Sequence, residues 1–460
     1  MHAIEELAAF VASHPEGALP DAAQEAVSLL VADLMAATAA GLNSPLAVAA
    51  RAAAPALYGE GLAQVWLTDL SLSVAGAAMA NAAAASALDI DDGHRGAAGH
   101  PGAGVIPAAL AVAQAVGARD RQIVEAIALG YDVALRIATA RPTGTFDTYS
   151  SGRWVGYGAA AAAGRLLGLD ARQMAHALAI AGAEGPISFA TGSSQYQGST
   201  VKEGIPPAVT AGLTGAFRAQ AGATGPLDLL DRDDRYRRAV MTEGLGETWW
   251  VRQCYLKPYA CCRYMHAAVD AIAQLRQPGA PIRSLRIETF PQGLRLSNSR
   301  APATLEAGQY SYYFSCALAA LHGPTALQPV DASWLTDPEV LELAGRIELA
   351  THKDFAASFP QGTPCRVILD QGAGPQSLTV LHPLGDVANP MSRAQVVEKF
   401  RRIGAASIPP PWQDTILQAL DGLSTRGFAP LFAALARGSD DQKRPNTHQQ
   451  GGNKDELLIS

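Results

Sequence analysis

The sequence predicts a mainly helical protein into which a second, smaller α+β domain is inserted. Apolar residues recur at helical spacing up to about residue 260, alternating runs appear only after it, and helical spacing returns at Arg393. The 460 residues are 48% hydrophobic and 17% charged, which is enough for a large core in two or three domains. We therefore expect a large all-helical domain built from both chain ends, residues 1–260 and 394–437, around an α+β domain of residues 261–393.

The helices are predicted from apolar faces and from capping residues. Small residues dominate the first 260 positions, so the helices there can pack closely, and we find no convincing alternating strand among them. The clearest helices are one opened by Asp21 as N-cap, Asp120–Ala140, Ala171–Ala183 with the capping box of Asp170 and Gln173, and Arg393–Ile403 capped by Ser392.

The α+β domain is predicted from three alternating runs that contain β-branched residues. We expect helices to connect them, and we expect the polar tail of residues 438–460 to be disordered. The predicted strands are Arg283–Phe290, Cys365–Asp370 and Ser377–His382, and the predicted helices are Tyr310–Leu321 and Pro338–Glu348.

Charge and cysteine content exclude several classes of protein. A formal charge of −7 and a pI near 5.8 argue against nucleic acid or an anionic membrane as partner. Five cysteines without a C-x-x-C pair indicate a reducing, cytoplasmic compartment. The N-terminus lacks a signal peptide, and no segment offers about 20 strongly apolar residues, so we expect no membrane span.

The densest group of polar residues lies in the loop of residues 89–106, between two apolar helices. Three aspartates and two histidines follow the alanine-rich helix Val74–Leu88, and Pro107 is predicted to open the next helix. The spacing excludes a calcium EF-hand and a dinucleotide fingerprint. Three interpretations remain: a solvated loop, a catalytic loop, or a divalent metal site that uses Asp89, Asp91, His94 and His100.

Three further polar segments interrupt the apolar pattern: residues 146–158, residues 185–207 around Lys202, and residues 256–266. Apolar or proline-rich sequence surrounds Lys202 and Lys257, and burial would lower the pKa of a lysine and make it a usable base. His266 shares a helical face with Cys262 and Asp270. A plain structural role, with His266 hydrogen-bonded to Asp270, stays open beside a functional one.

These segments resemble the MmgE/PrpD family over nearly the whole chain, from about residue 5 to 437. The resemblance is carried, in the family's order, by the segments DIDDGHRGAAGHPGAGVIPAALAVAQ, the loop around Lys202, KPYACCRYMHAAVDAI and NPMSRAQVVEKF. The family includes 2-methylcitrate dehydratase, cis-aconitate decarboxylase and iminodisuccinate epimerase. The resemblance implies the two-domain arrangement given above, a homodimer, and chemistry on small di- or tricarboxylates with no metal and no coenzyme, in a cleft between the domains.

The family's site residues carry over one position at a time. Asp89 and His100 match the acid and the histidine of its D-x-D-D…H-P motif. Lys202 matches the lysine of its central loop. Lys257 and His266 match its K-P-Y…H motif. We expect Cys261 and Cys262 to serve packing.

One position departs from the pattern of the dehydratase-like members. Their G-[FW]-H-x-T histidine falls on Tyr149 here, the threonine falls on Ser151, and Arg153 adds a cation. The set of Tyr149, Arg153 and Lys202 resembles the iminodisuccinate epimerase branch. The sequence therefore favours an epimerase that removes a proton α to a carboxylate, with Lys202 and Tyr149 as the acid/base pair.

In that hypothesis Arg153, Lys257 and His266 bind the substrate carboxylates, while Asp89 and His100 order the pocket or shuttle protons. Two alternatives stay open. The first is a lyase that eliminates water or carbon dioxide from a citrate-like acid. The second is a carboxylate-binding or scaffold protein that lost its activity with the histidine.

Overall fold

The computed structural model describes residues 1–142, 148, 150–186 and 196–436, and this part of the chain is mainly helical. The predicted tail of residues 438–460 lies outside the described residues. The helices are α1 Ala3–Ser13, α2 Asp21–Gly41, α3 Pro45–Tyr58, α4 Val74–Ser86, α5 Gly102–Val116, α6 Asp120–Ala140, α7 Val155–Leu166, α8 Ala171–Ala183, α9 Ile205–Gln220, α10 Arg238–Thr242, α11 His266–Leu275, α12 Leu305–Gln309, α13 Tyr312–His322, α14 Pro338–Arg346, α15 Arg393–Gly404, α16 Pro410–Asp421, α17 Leu423–Arg426 and α18 Ala429–Leu435.

The described strands form three small sheets. β1 pairs antiparallel with β2, and β3 pairs antiparallel with β4. The third sheet has the order β6-β5-β7-β8, in which only the β5–β6 pair is parallel. The strands are β1 Glu60–Gln64, β2 Ser71–Leu72, β3 Gly93–His94, β4 Cys254–Tyr255, β5 Ser284–Thr289, β6 Glu348–Thr351, β7 Cys365–Asp370 and β8 Pro375–Val380.

Buried apolar side chains form two clusters. The larger one combines residues between Ala3 and Ala260 with residues between Met391 and Leu435. The smaller one, between Tyr259 and Leu369, includes α11, α13 and the inner face of the four-stranded sheet. The helices that carry the functional loops therefore rest on a core to which both ends of the described chain contribute.

Small residues let the helices of the larger core approach at backbone distance. A Cβ atom added at Gly158 of α7 would lie 2.5 Å from the carbonyl oxygen of Gly130 on α6. Such a contact is far too short for any side chain, so glycine is required at this crossing. Glycine at such a crossing is thus one reason why the helices pack so closely.

A buried ion pair joins the C-terminal helices to the first half of the chain. Lys399 of α15 donates a hydrogen bond of 2.6 Å to Asp33 of α2 and another of 2.7 Å to the carbonyl of Ile90. Burial raises the pKa of Asp33, and the Lys399 ammonium opposes that rise. Lys399 therefore fixes both the packing of α15 and the backbone just after Asp89.

Several predicted elements are confirmed. The helix Asp120–Ala140, the capping box at Asp170, the N-cap at Ser392 and the strand Cys365–Asp370 have the predicted bounds or contacts. The predicted strands Arg283–Phe290 and Ser377–His382 form, with bounds of Ser284–Thr289 and Pro375–Val380. The predicted helices Tyr310–Leu321 and Pro338–Glu348 form as α13 and α14.

Four details of the prediction are wrong. The first 260 residues do contain strands, but β1 to β4 are two to five residues long and too short for a period-2 pattern to show. α5 begins at Gly102 with Pro107 inside it, and Asp21 is the first residue of α2 rather than its cap. Glu348 starts strand β6 instead of ending a helix.

The expectation about apolar segments also needs correction. α2, Asp21–Gly41, is long and apolar enough to cross a membrane by length and composition. However, 67% of its apolar window is buried inside the protein, as in the core helix of a globular domain. Its apolar character is accounted for by contacts with α4, α6 and α15.

The Lys399–Asp33 pair gives a stability prediction. Lys399→Met leaves the buried Asp33 carboxylate without its cation, and we expect a loss of about 3–5 kcal/mol in the free energy of unfolding. Arg401→Met on the same helix removes an exposed pair with Asp414, 2.7 Å apart, and is expected to cost less than about 1 kcal/mol. Urea-induced unfolding of both variants measures the difference, and equal losses would contradict the assigned role.

Candidate active site

Separate parts of the chain meet next to the β3–β4 pair. Asp89 and Asp91 follow α4, and His100 precedes α5. The pairing of Gly93 with Tyr255 brings the segment that contains Lys257 against this loop. Lys202 reaches the same point from the residues just before α9. The fold thus collects side chains from positions 89 to 257 in one buried place.

The backbone is unusual where two of these segments meet. Asp89, Lys202 and Glu203 have φ angles of 55°, 35° and 55°, and Gly204 follows with 69°. For residues other than glycine this left-handed conformation costs roughly 1–2 kcal/mol each. Such strain persists only where the surroundings enforce it, and it clusters at functional sites.

Serine side chains hold the strained segment in place. The Ser150 hydroxyl donates to the carbonyl of Glu203 at 2.5 Å. The backbone N–H and the hydroxyl of Ser151 donate to Glu203 Oε2 at 3.0 and 2.8 Å. A Cβ atom at Gly152 would lie 2.5 Å from the carbonyl oxygen of Glu203, so only glycine fits this turn. The turn before α7 therefore holds Glu203, and with it the neighbouring Lys202, in place.

Six ionisable side chains form what we call the charge cluster. Lys202 Nζ bonds to Asp89 Oδ1 and donates to the Tyr310 hydroxyl at 2.9 Å. Lys257 Nζ lies 3.6 Å from Asp89 Oδ1 and 3.8 Å from Asp91 Oδ1. All six residues of the cluster are at most 9% exposed. The members are Asp89, Asp91, His100, Lys202, Glu203 and Lys257.

His100 lies between two carboxylates. Its Nδ1 is 3.1 Å from Asp91 Oδ1, and its Nε2 is 3.2 Å from Asp89 Oδ1. A carboxylate beside each ring nitrogen favours a proton on both nitrogens, which is the imidazolium form. Burial and the Lys257 ammonium, 3.2 Å from Nδ1, oppose this charge, but the two aspartates outweigh them and raise the pKa of His100 to about 9.

The pKa values of the other members follow from the same pairing. Burial alone would raise the pKa of Asp89, but the Lys202 and Lys257 ammonium groups hold it well below its usual value. His100 and Lys257 likewise lower the pKa of Asp91 against the effect of burial. At neutral pH the cluster therefore contains ionised aspartates and protonated partners.

The expectation that burial makes Lys202 or Lys257 a neutral base is wrong. Burial does oppose the charge of Lys202, but Asp89 and Glu203 outweigh it and raise the pKa of the amine. Asp89 and Asp91 raise the pKa of Lys257 in the same way. Both amines are acids at neutral pH.

A small cavity of about 50 Å³, partly open to solvent, adjoins the charge cluster. Buried Arg263 lines it and has an Nε atom without a hydrogen-bond partner in the described part of the chain. Burial raises the pKa of the Cys262 thiol to about 12, so this lining residue stays a thiol. Further lining residues are Asp89, His100, Gln197, Glu203, Tyr255, Lys257, Tyr264, Gln292, Arg295 and Tyr310.

The donor set for a metal differs from the one considered in the sequence. Ligand atoms of Asp89, His100 and Glu203 lie within 4.8 Å of one another. His94 instead accepts a hydrogen bond from the backbone N–H of Ala97 at 3.2 Å. The Lys202 ammonium already contacts the Asp89 oxygen, so its positive charge disfavours a divalent cation among these atoms.

The structure does not bring all predicted site residues together. Asp89, His100, Lys202 and Lys257 meet in the charge cluster, whereas Tyr149 lies outside the described residues. Arg153 is exposed and lines a different cleft.

His266 is fully buried behind the cavity. Its Nε2 bonds to the carbonyl of Cys261 at 3.0 Å, and its Nδ1 accepts from Arg263 at 3.2 Å. Asp270 accepts from Tyr259 and from the backbone of Leu384 instead, so a His266–Asp270 bond is not formed.

Sequence reasoning missed Glu203, Tyr310 and Arg263. Glu203 follows Lys202 directly, and an acid beside a buried lysine is a signal that could have been used. The Tyr310 hydroxyl accepts from Lys202 and donates to Glu203 Oε1 at 3.0 Å. Nothing local marks this tyrosine, because its contacts come from residues more than 100 positions away.

The chain is similar to known proteins over most of its length. Residues 5–245 match the MmgE/PrpD N-terminal domain and residues 259–423 match the MmgE/PrpD C-terminal domain. It is 27% identical over 371 residues to a cis-aconitate decarboxylase of Aspergillus terreus, covering 72% of this chain and 74% of that protein. The cis-aconitate decarboxylase of Homo sapiens is 24% identical over 400 residues, covering 80% and 81%.

The charge on His100 gives a pH prediction. A pKa raised from 6.5 to about 9 stabilises the folded protein fully below pH 6.5, and this contribution is lost as the pH rises through 9. The free energy of unfolding of the wild type minus that of His100→Gln should therefore fall by on the order of 3 kcal/mol over this range. Urea titrations at a series of pH values measure it, and a difference that does not change with pH would contradict the charged form.

Proposed function

The chain belongs to the MmgE/PrpD family, and on that basis we propose that it is a lyase that releases carbon dioxide from a small di- or tricarboxylate. The similar proteins named cis-aconitate decarboxylase support an unsaturated tricarboxylate as the substrate class. We thus favour the lyase alternative over the epimerase.

The protonation state of the charge cluster carries the proposal. His100, Lys202 and Lys257 are all acids at neutral pH, and the pKa of Asp89 is too low for it to be an effective base. Epimerisation and dehydration both begin with removal of a proton from carbon, which needs a free base. Decarboxylation needs stabilisation of negative charge and a proton donor, and the cluster offers both.

The proposed reaction proceeds without a redox step. The bond between a carbon atom and one carboxylate breaks, carbon dioxide leaves, and the electron pair stays on the substrate as a carbanion conjugated with a remaining carboxylate. Lys257 and Arg263 stabilise the developing charge from the cavity wall. His100, whose pKa of about 9 lies nearest to neutral, donates a proton to carbon and is then reprotonated from solvent.

An epimerase remains the second candidate because position 149 is tyrosine rather than the histidine of the dehydratase-like pattern. The exposed position of Arg153 weakens it, since that arginine was expected to bind a substrate carboxylate. We further propose a homodimer in the cytoplasm. The family resemblance supports the homodimer, and the absence of a disulfide among the five cysteines supports a reducing compartment.

Product analysis tests the proposal. Purified protein is incubated in D2O with cis-aconitate, with citrate-like hydroxy acids and with aspartate-derived dicarboxylates, and the products are followed by NMR and by released carbon dioxide. We expect carbon dioxide and one deuterium in the product from the unsaturated acid. Exchange of the α-proton without carbon dioxide release would instead identify an epimerase, and loss of water a dehydratase.

Substitution of a cavity lysine tests the role of the cluster. Lys257→Met should lower kcat at least about 100-fold, because the developing charge loses a buried cation. Lys353→Met removes an exposed lysine far from the cluster in sequence and should leave kcat within about twofold. Equal activity of the two variants, with circular dichroism showing both folded, would exclude Lys257 from the reaction.

A further inference from the structure

A second cleft lies on the other side of the turn that supports Glu203. Gly152 and Arg153, from that turn, line it together with the first turn of α7 and the end of α8. Its volume is about 280 Å³, enough for a small metabolite. Its polar lining residues are Arg153, Tyr157, Arg232, Arg235 and Tyr236.

The charge of this cleft is one-sided. Arg153, Arg232 and Arg235 line it, and none of its described lining residues is acidic. Arg153 forms no ion pair within residues 1–142, 148, 150–186 and 196–436. Asp234 pairs with Arg232 at 2.8 and 3.1 Å, and Arg235 Nε lies 3.9 Å from the same carboxylate. All three side chains are at least 56% exposed, so these pairs are weak and can rearrange at low cost.

A largely buried tyrosine lines the cleft. Tyr157 is 4% exposed, its hydroxyl makes no hydrogen bond to a described residue, and solvent in the cleft can reach the hydroxyl oxygen. The hydroxyl lies against Gly182, where an added Cβ atom would be only 2.0 Å away, and both residues line the cleft. Burial raises the pKa of this phenol, with the nearby Arg153 opposing the rise, so it remains a donor.

Two independent observations thus indicate the same kind of ligand. Arginines supply bidentate donors for an oxyanion, and the Tyr157 phenol, which makes no hydrogen bond to a described residue, supplies a further donor. The first turn of α7 adds the positive end of the helix dipole. We propose that this cleft is a second binding site, separate from the charge cluster, for a small molecule that carries a carboxylate or phosphate group.

Calorimetric titration of the full-length protein with inorganic phosphate, and separately with succinate, tests the proposal and distinguishes the two anions. We expect at least one of them to bind saturably with a Kd below about 1 mM. The Lys257→Met variant should bind that anion equally well, because the cleft is separate from the catalytic cavity. Arg153→Gln and Tyr157→Phe should each weaken binding at least tenfold.

Arg401→Gln, an exposed arginine on α15, is the matched control and should bind as the wild type does. Absence of saturable binding for both anions would overturn the proposal. So would binding that Lys257→Met abolishes, because the anion would then occupy the catalytic cavity. Binding unchanged by both Arg153→Gln and Tyr157→Phe would also overturn it.

Discussion

The balance of charge inside the buried cluster determines the backbone conformation and the side-chain contacts around it. Each ionised group taken out of water costs several kcal/mol unless a partner of opposite sign and hydrogen bonds offset the loss. Three carboxylates and three cations meet this condition together, and removal of any one leaves a buried charge uncompensated. The left-handed backbone at Asp89, Lys202 and Glu203 is therefore enforced by the pairing of these side chains, and the serines at 150 and 151 complete the support.

The same pairing decides which chemistry the site can perform. Carboxylates that hold His100, Lys202 and Lys257 in place also keep them protonated, so the cluster is better suited to donating protons than to removing them. The ion pairs that stabilise the cluster therefore also set the protonation states on which its reactivity depends. A substrate that brings its own carboxylates into the cavity meets ammonium, imidazolium and guanidinium groups that are already oriented, and little reorganisation is needed.

Much of the architecture could be predicted because it depends on periodic patterns. Long helices such as Asp120–Ala140 repeat an apolar face several times, whereas β3 and β4 are two residues each and leave no pattern. Asp89, His100, Lys202 and Lys257 were identifiable because they match motifs that resemble a family. Their protonation was not predictable, since it depends on which charges the fold brings within 4 Å.

The position of Lys399 affects the order in which the folded structure can form during synthesis. Ribosomes extend a chain from its N-terminus, so the loop that contains Asp89 emerges long before α15 does. Until residue 399 has left the exit tunnel, Asp33 lacks its cation and the Ile90 carbonyl lacks its donor. A nascent or prematurely terminated chain that ends between residues 257 and 399 should therefore carry every side chain of the charge cluster and still lack the support that holds its first loop in place.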